Sequence, residues 1–123
     1  DFGMPVPDDT RGVLQDVHWY SGTIGGAFQG YTLGNILSAQ FFAAAVKANP
    51  GIPADVKRGE FGVLHEWLKQ NIYRHGSKFT ASELVPRVTG SPLTLAPYLD
   101  YLWGKYQPLY GLREEERAGA GVA

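Results

Sequence analysis

Thirty consecutive residues, Val17 to Val46, carry no charge in a chain of 123. The 11 basic and 12 acidic side chains all lie outside that run. At a charged fraction of 19%, a stretch of this length would ordinarily hold several charges. An uncharged segment long enough to cross a bilayer raises a transmembrane reading. The residues argue against it. Gly22, Gly25, Gly26, Gly30 and Gly34 interrupt the run, and His18, Ser21, Thr23, Gln29, Thr32, Asn35, Ser38 and Gln40 make it polar. It also lacks the basic flank and cleavage site of a signal peptide. The reading it favours is a segment buried inside a water-soluble protein.

Around that run the chain divides by its punctuation. Pro5, Pro7 and Asp8-Asp9 predict an extended or turn-rich entry. Residues 11–28 are short and glycine-broken. A helix follows from about Gln29 to Ala48, with Leu33, Ile36, Leu37, Phe41 and Ala44 or Ala45 at helical spacing. Its other sides are Thr, Ser, Gln and Ala, so the helix is expected to be enclosed on most sides. Asn49-Pro50-Gly51 ends it. Pro53 opens a short helix reaching toward Gly59. Glu60 to His75 reads as one amphipathic helix with Phe61, Leu64, Leu68 and Ile72 in a stripe, Trp67 beside it and Gly76 as cap. Thr80 and Glu83 form a capping box for the next helix, which Pro86 should distort and Gly90 ends. Thr94 opens a last helix from Leu95 to about Leu109, irregular at its end because of Pro108. The tail, 113–123, has no apolar stripe and is expected to be mobile. No period-two alternation or hairpin dipeptide is present, so the class is all-α.

The charge balance, net −1, excludes nucleic-acid binding by bulk charge and gives no polybasic surface for a membrane. With no Cys there is no disulfide framework and no thiol nucleophile. His65-Glu66 begins like the zinc motif His-Glu-x-x-His, but Lys69 stands where the second His is needed. His65 and His75 therefore read as ordinary helix residues. Ser21 and Ser91 lack a nucleophile elbow. Gly22, Gly25 and Gly26 lack the strand and Lys of a phosphate loop.

What remains is Gln15-Asp16-Val17-His18-Trp19. A carboxylate two residues from an imidazole can orient that ring. The alternative is a turn holding a satisfied, buried His and a core Trp. Tyr31, near the start of the long helix, is either an oxyanion donor or an aromatic core residue. Tyr98, Tyr101, Trp103, Tyr106 and Tyr110 read as packing.

The stretch Gly12-Val13-Leu14-Gln15-Asp16-Val17-His18-Trp19 resembles the Gly-x-x-Gln-Asp-x-His-Trp signature of the thermostable carboxypeptidase Taq family of metallocarboxypeptidases. The resemblance continues through Tyr31-Thr32-Leu33-Gly34-Asn35, Ala39-Gln40-Phe41-Phe42, Arg58-Gly59-Glu60-Phe61, Thr89-Gly90-Ser91-Pro92-Leu93, Pro97-Tyr98-Leu99 and Lys105-Tyr106. It spans nearly everything from Val6 to Leu112. One departure is local: Gly25 to Tyr31 is about one residue longer than the family's Gly-Tyr-Phe-Pro-x-Tyr, leaving its first Tyr without a counterpart.

The resemblance implies that residues 1–112 form the C-terminal helical portion of a larger, zincin-like, mostly helical metallopeptidase, with 11–31 as a wall of its active site. The family's His-Glu-x-x-His helix, its further Glu ligand and its substrate-carboxylate-binding basic residues lie outside this sequence. The chain is thus expected to be a fragment, inactive alone and binding no metal itself. The whole enzyme would use zinc or cobalt to release C-terminal residues from peptides, as a cytoplasmic homo-oligomer, commonly a homodimer, with no nucleic-acid or membrane partner. Within it, the resemblance implies that His18 hydrogen-bonds the substrate or tetrahedral intermediate. Tyr31 stabilises the oxyanion opposite the metal, and Asp16, Gln15 and Trp19 support His18 and the cleft wall. The competing reading is a stand-alone helical interaction or oligomerisation module. A reading frame carrying His-Glu-x-x-His upstream would decide for the enzyme.

Overall fold

A computed structural model describes residues 3–23 and 26–119, and among these it contains helices and turns with no strand. The α-helices are α1 (Phe28–Ala48), α2 (Ile52–Lys57), α3 (Gly62–Asn71), α4 (Ala81–Thr89), α5 (Ala96–Tyr110) and α6 (Glu114–Gly119). Short 3-10 turns occupy Val13–Gln15, Val17–Trp19 and Tyr73–His75. The all-α expectation holds. No described helix is long and apolar enough to cross a membrane. The chain divides into two compact units, Asp1–Asn35 and Ile36–Ala123, with the division falling inside α1.

In the second unit the buried apolar residues are Ile36, Ala45, Ile52 and Val85. Gln40 is buried with them, only 3% exposed. A buried amide is costly unless its donors and acceptor are used, and here they are. Its Nε2 donates to the Pro92 carbonyl at 2.9 Å, the Thr89 hydroxyl at 3.1 Å and the Ser91 hydroxyl at 3.2 Å. Its Oε1 accepts from the Thr94 backbone N–H at 3.0 Å. The Thr89 hydroxyl donates to the Val85 carbonyl at 2.9 Å, which leaves its oxygen free to accept from Gln40. One side chain of α1 thereby fixes the turn between α4 and α5.

The expected enclosure of α1 is only partial within this chain. Ile36, Gln40 and Ala45 are buried, but Leu33 and Phe42 are exposed. A helix side without charge is ready for burial; the described residues cover one side and leave others open.

The helix expected over Glu60 to His75 is shorter at both ends. Glu60 belongs to the preceding turn, its N–H bonded to the Asp55 carbonyl at 2.9 Å and its carboxylate to Arg58. At the other end the Asn71 side chain donates to the Trp67 carbonyl at 2.8 Å. Such a side-chain bond competes with the helical ladder, and the chain tightens into a 3-10 turn before Gly76, whose φ is +54°.

The capping box at α4 is formed: Glu83 Oε2 accepts from the Thr80 N–H at 2.9 Å and from its hydroxyl at 2.8 Å. Pro86 forfeits one ladder bond, yet α4 continues to Thr89 before Gly90 takes a left-handed conformation. Likewise α5 runs through Pro108 to Tyr110, ahead of left-handed Gly111. The tail expected to be mobile is described only to Gly119. Its α6 ties back to α5 through Arg117 paired with Asp100 and Trp103 Nε1 donating to Glu114 at 3.3 Å. Residues 120–123 lie outside the described part.

Candidate functional site

The candidate residues lie in the first unit, on a segment built from two consecutive tight turns. Asp8 closes the approach by accepting from the Arg11 backbone N–H and from its Nε, both at 2.8 Å. The turn Val13–Gln15 follows, and Gln15 directs its Nε2 to the Thr10 carbonyl. Asp16 then takes extended backbone, φ −132° and ψ 120°, and separates the two turns. Its side chain caps the second turn in the manner of short acidic residues at helix starts.

That cap is also the site's polar centre. Asp16 Oδ1 accepts from the His18 backbone N–H at 3.0 Å and meets His18 Nδ1 at 2.7 Å. The backbone N–H of His18, followed by its ring, holds the Asp16 carboxyl below its ordinary value of 3.8. An ionised carboxylate only accepts, so Nδ1 carries the hydrogen. Nε2 is left as the ring nitrogen available to a ligand, an acceptor when the imidazole is neutral and a donor when it is protonated.

Around this dyad is an aromatic group. The Phe28 ring lies 5.2 Å from His18 and 4.7 Å from Trp19, centroid to centroid. Tyr31 stands edge-on to His18 at 6.1 Å. Positions 28 and 31 fall one turn apart on α1, so both rings face the same way. Trp19 is 56% exposed and Tyr31 63% exposed, so neither is a core residue. His18 is half-buried.

Of the sequence candidates, Asp16, His18, Trp19 and Tyr31 come together. Gln15 does not reach His18; its amide is engaged by Thr10. Phe28, which links the group, is not among the residues singled out from the sequence, although its spacing from Tyr31 carried the signal. Gly26 is buried, with φ +123°. Gly25 and Ile24 lie outside the described residues. His65 and His75 make ring contacts with Tyr73 and Phe79, at 6.3 and 5.3 Å. Among the described residues no group of three or more His, Asp or Glu is arranged to hold a metal ion.

The comparisons with known proteins agree with one another. The family model described as carboxypeptidase Taq (M32) metallopeptidase matches residues 1–106. Thermostable carboxypeptidase 1 of Thermus thermophilus is 42% identical over 109 residues, 89% of this chain and 21% of that protein. Carboxypeptidase 1 of Bacillus subtilis is 34% identical over 108 residues, again 21% of its length. Among solved structures, an M32 carboxypeptidase from Deinococcus radiodurans R1 superposes with a TM-score of 0.79 at 60% identity, covering 89% of this chain and 22% of that one. The chain therefore spans about a fifth of the length of the relatives it matches. The chain belongs to the carboxypeptidase Taq (M32) metallopeptidase family.

Proposed function

We propose that this chain is the C-terminal helical part of a metal-dependent carboxypeptidase, that residues 11–31 form one wall of its active site, and that the whole enzyme releases C-terminal residues from peptides. The observation that carries this reading is the Asp16–His18 pair, at 2.7 Å, beside Tyr31. A ring whose Nδ1 is held by a carboxylate presents Nε2 in a fixed tautomer, which a group meant to meet a substrate requires.

In this reading Nε2 of His18 hydrogen-bonds the substrate or the tetrahedral intermediate, accepting from an N–H or O–H while the imidazole is neutral and donating to an oxygen once it is protonated. The hydroxyl of Tyr31 donates to the oxygen that gains charge; one such donor is worth about 2.7–4 kcal/mol in comparable sites. Asp16 fixes the ring, and Phe28, itself against Trp19, packs on one side of it. The family's metal, zinc or cobalt, would supply Lewis-acid activation. The described residues of this chain form no cluster that fits it. Alone, the chain is expected to release no amino acid from peptides.

The experiment is steady-state peptide hydrolysis by the full-length protein carrying His18→Ala or Tyr31→Phe. His18→Ala should lower kcat/KM by about 10²–10⁴-fold, the range for a positioned proton-handling group. Unchanged kcat/KM in both variants would refute the assignment.

A further inference from the structure

Asp16 fixes the rotation of the His18 ring, but it does not fix the distance between His18 and Tyr31. The two residues sit on separate elements, the second 3-10 turn and α1. What joins those elements is the backbone of Gly26 and Ala27. The Ala27 N–H donates to the His18 carbonyl at 2.7 Å. Gly26 lies so close to the same turn that an added Cβ would fall 2.8 Å from the Trp19 carbonyl oxygen and 2.9 Å from that of His18. Both are backbone atoms and cannot swing away. Gly26 also holds φ +123°, a region closed to ordinary L-residues. Its carbonyl is held in turn by the Gln29 side chain, whose Nε2 donates to it at 2.6 Å.

We infer that Gly26 and Gln29 are positioning residues for the reaction: together they set the register between the His18 turn and α1, and hence the separation of His18 from Tyr31. Gly26 permits the close approach, and Gln29 fixes the peptide that makes it. Gln29 also lies one residue after Phe28 and two before Tyr31, so a shift of its peptide anchor moves both rings relative to His18. Misplacement of reacting groups by about 1 Å costs on the order of 100-fold in rate. Neither residue touches substrate in this account.

The inference rests on the proposed role of His18, and the test separates the two. In the full-length protein, Gly26→Ala should lower kcat by about 10- to 100-fold with KM little changed. Gly26→Ala also strains the backbone, so Gln29→Met, which keeps the side-chain volume and removes only the donor, is the companion variant. It should lower kcat by several-fold at unchanged KM and unchanged metal content. Gln29→Lys, which restores an N–H donor, should recover most of the loss. Independently of turnover, the His18 ring-proton resonances should shift in Gln29→Met, because Phe28 and Tyr31 stand close enough to impose ring currents on them. Wild-type kcat and unshifted His18 resonances in Gln29→Met, while His18→Ala is impaired, would overturn the inference and leave the role of His18 standing. A Gln29→Lys enzyme no better than Gln29→Met would also overturn it. Full activity of His18→Ala would overturn both.

Discussion

Gln40 and His18 lie in the same uncharged stretch, and the way each is bonded separates two uses of a polar side chain. Gln40 is 3% exposed, and its donors and acceptor go to residues 49 to 54 positions away. It is bonded wholly within the protein. His18 is half-buried, its polar partner is two residues away, and one ring nitrogen is left for something else. Gln40 specifies a fold. In the proposed function His18 is held still for chemistry. The difference lies not in residue type but in whether the local structure uses all of the group's hydrogen-bonding capacity.

The comparison breaks most sharply under substitution. His18→Ala in the full-length enzyme should produce the largest effect, the loss of about 10²–10⁴-fold in kcat/KM, with little change in thermal stability. Gln40→Ala should do the reverse. It removes the buried Gln40 amide and with it the bonds to the Thr94 N–H and the Pro92 carbonyl, at about 1–3 kcal/mol, which denaturant or thermal unfolding would read. Comparable loss of stability in both variants would erase the distinction.

A smaller effect is expected at α4. Thr80→Ala removes half of the capping box and should cost about 1 kcal/mol, measurable as a shifted unfolding midpoint. The mildest test is pH. Asp16 has a carboxyl held below its ordinary value of 3.8 in the folded chain. A depressed carboxylate contributes its stability above the unfolded value and loses it as pH falls through the folded one. The stability gap between wild type and Asp16→Asn should therefore be constant near neutrality and shrink below the ordinary carboxylate range. Because the pair is well exposed, the gap should be modest.

Much of this was legible in the residues. Helix order follows from stripe spacing and from Asn49-Pro50-Gly51, Thr80 with Glu83, and Gly90, each acting locally. The Asp16–His18 pair is local too, two residues apart, and its contact could be anticipated from the spacing. The Gln40 network could not, because its partners lie about fifty residues away and an amide gives no sign of what will surround it. The break after Asn71 depends on one side chain turning back to Trp67, a choice that periodicity does not carry. Gln15 reads as a support for His18 by proximity in sequence, and the turn at Val13–Gln15 sends it to Thr10 instead.

The uncharged run thus divides within α1 into a part beside the proposed chemistry and a part that anchors helices. The claim that joins these is that His18 is fixed through Nδ1 and offers Nε2. Its most direct test is the nitrogen-15 spectrum of the His18 ring at a pH where the imidazole is neutral. A protonated Nδ1 and a bare Nε2 are expected, a preference lost in Asp16→Asn. A ring protonated at Nε2, with Nδ1 bare, would contradict it.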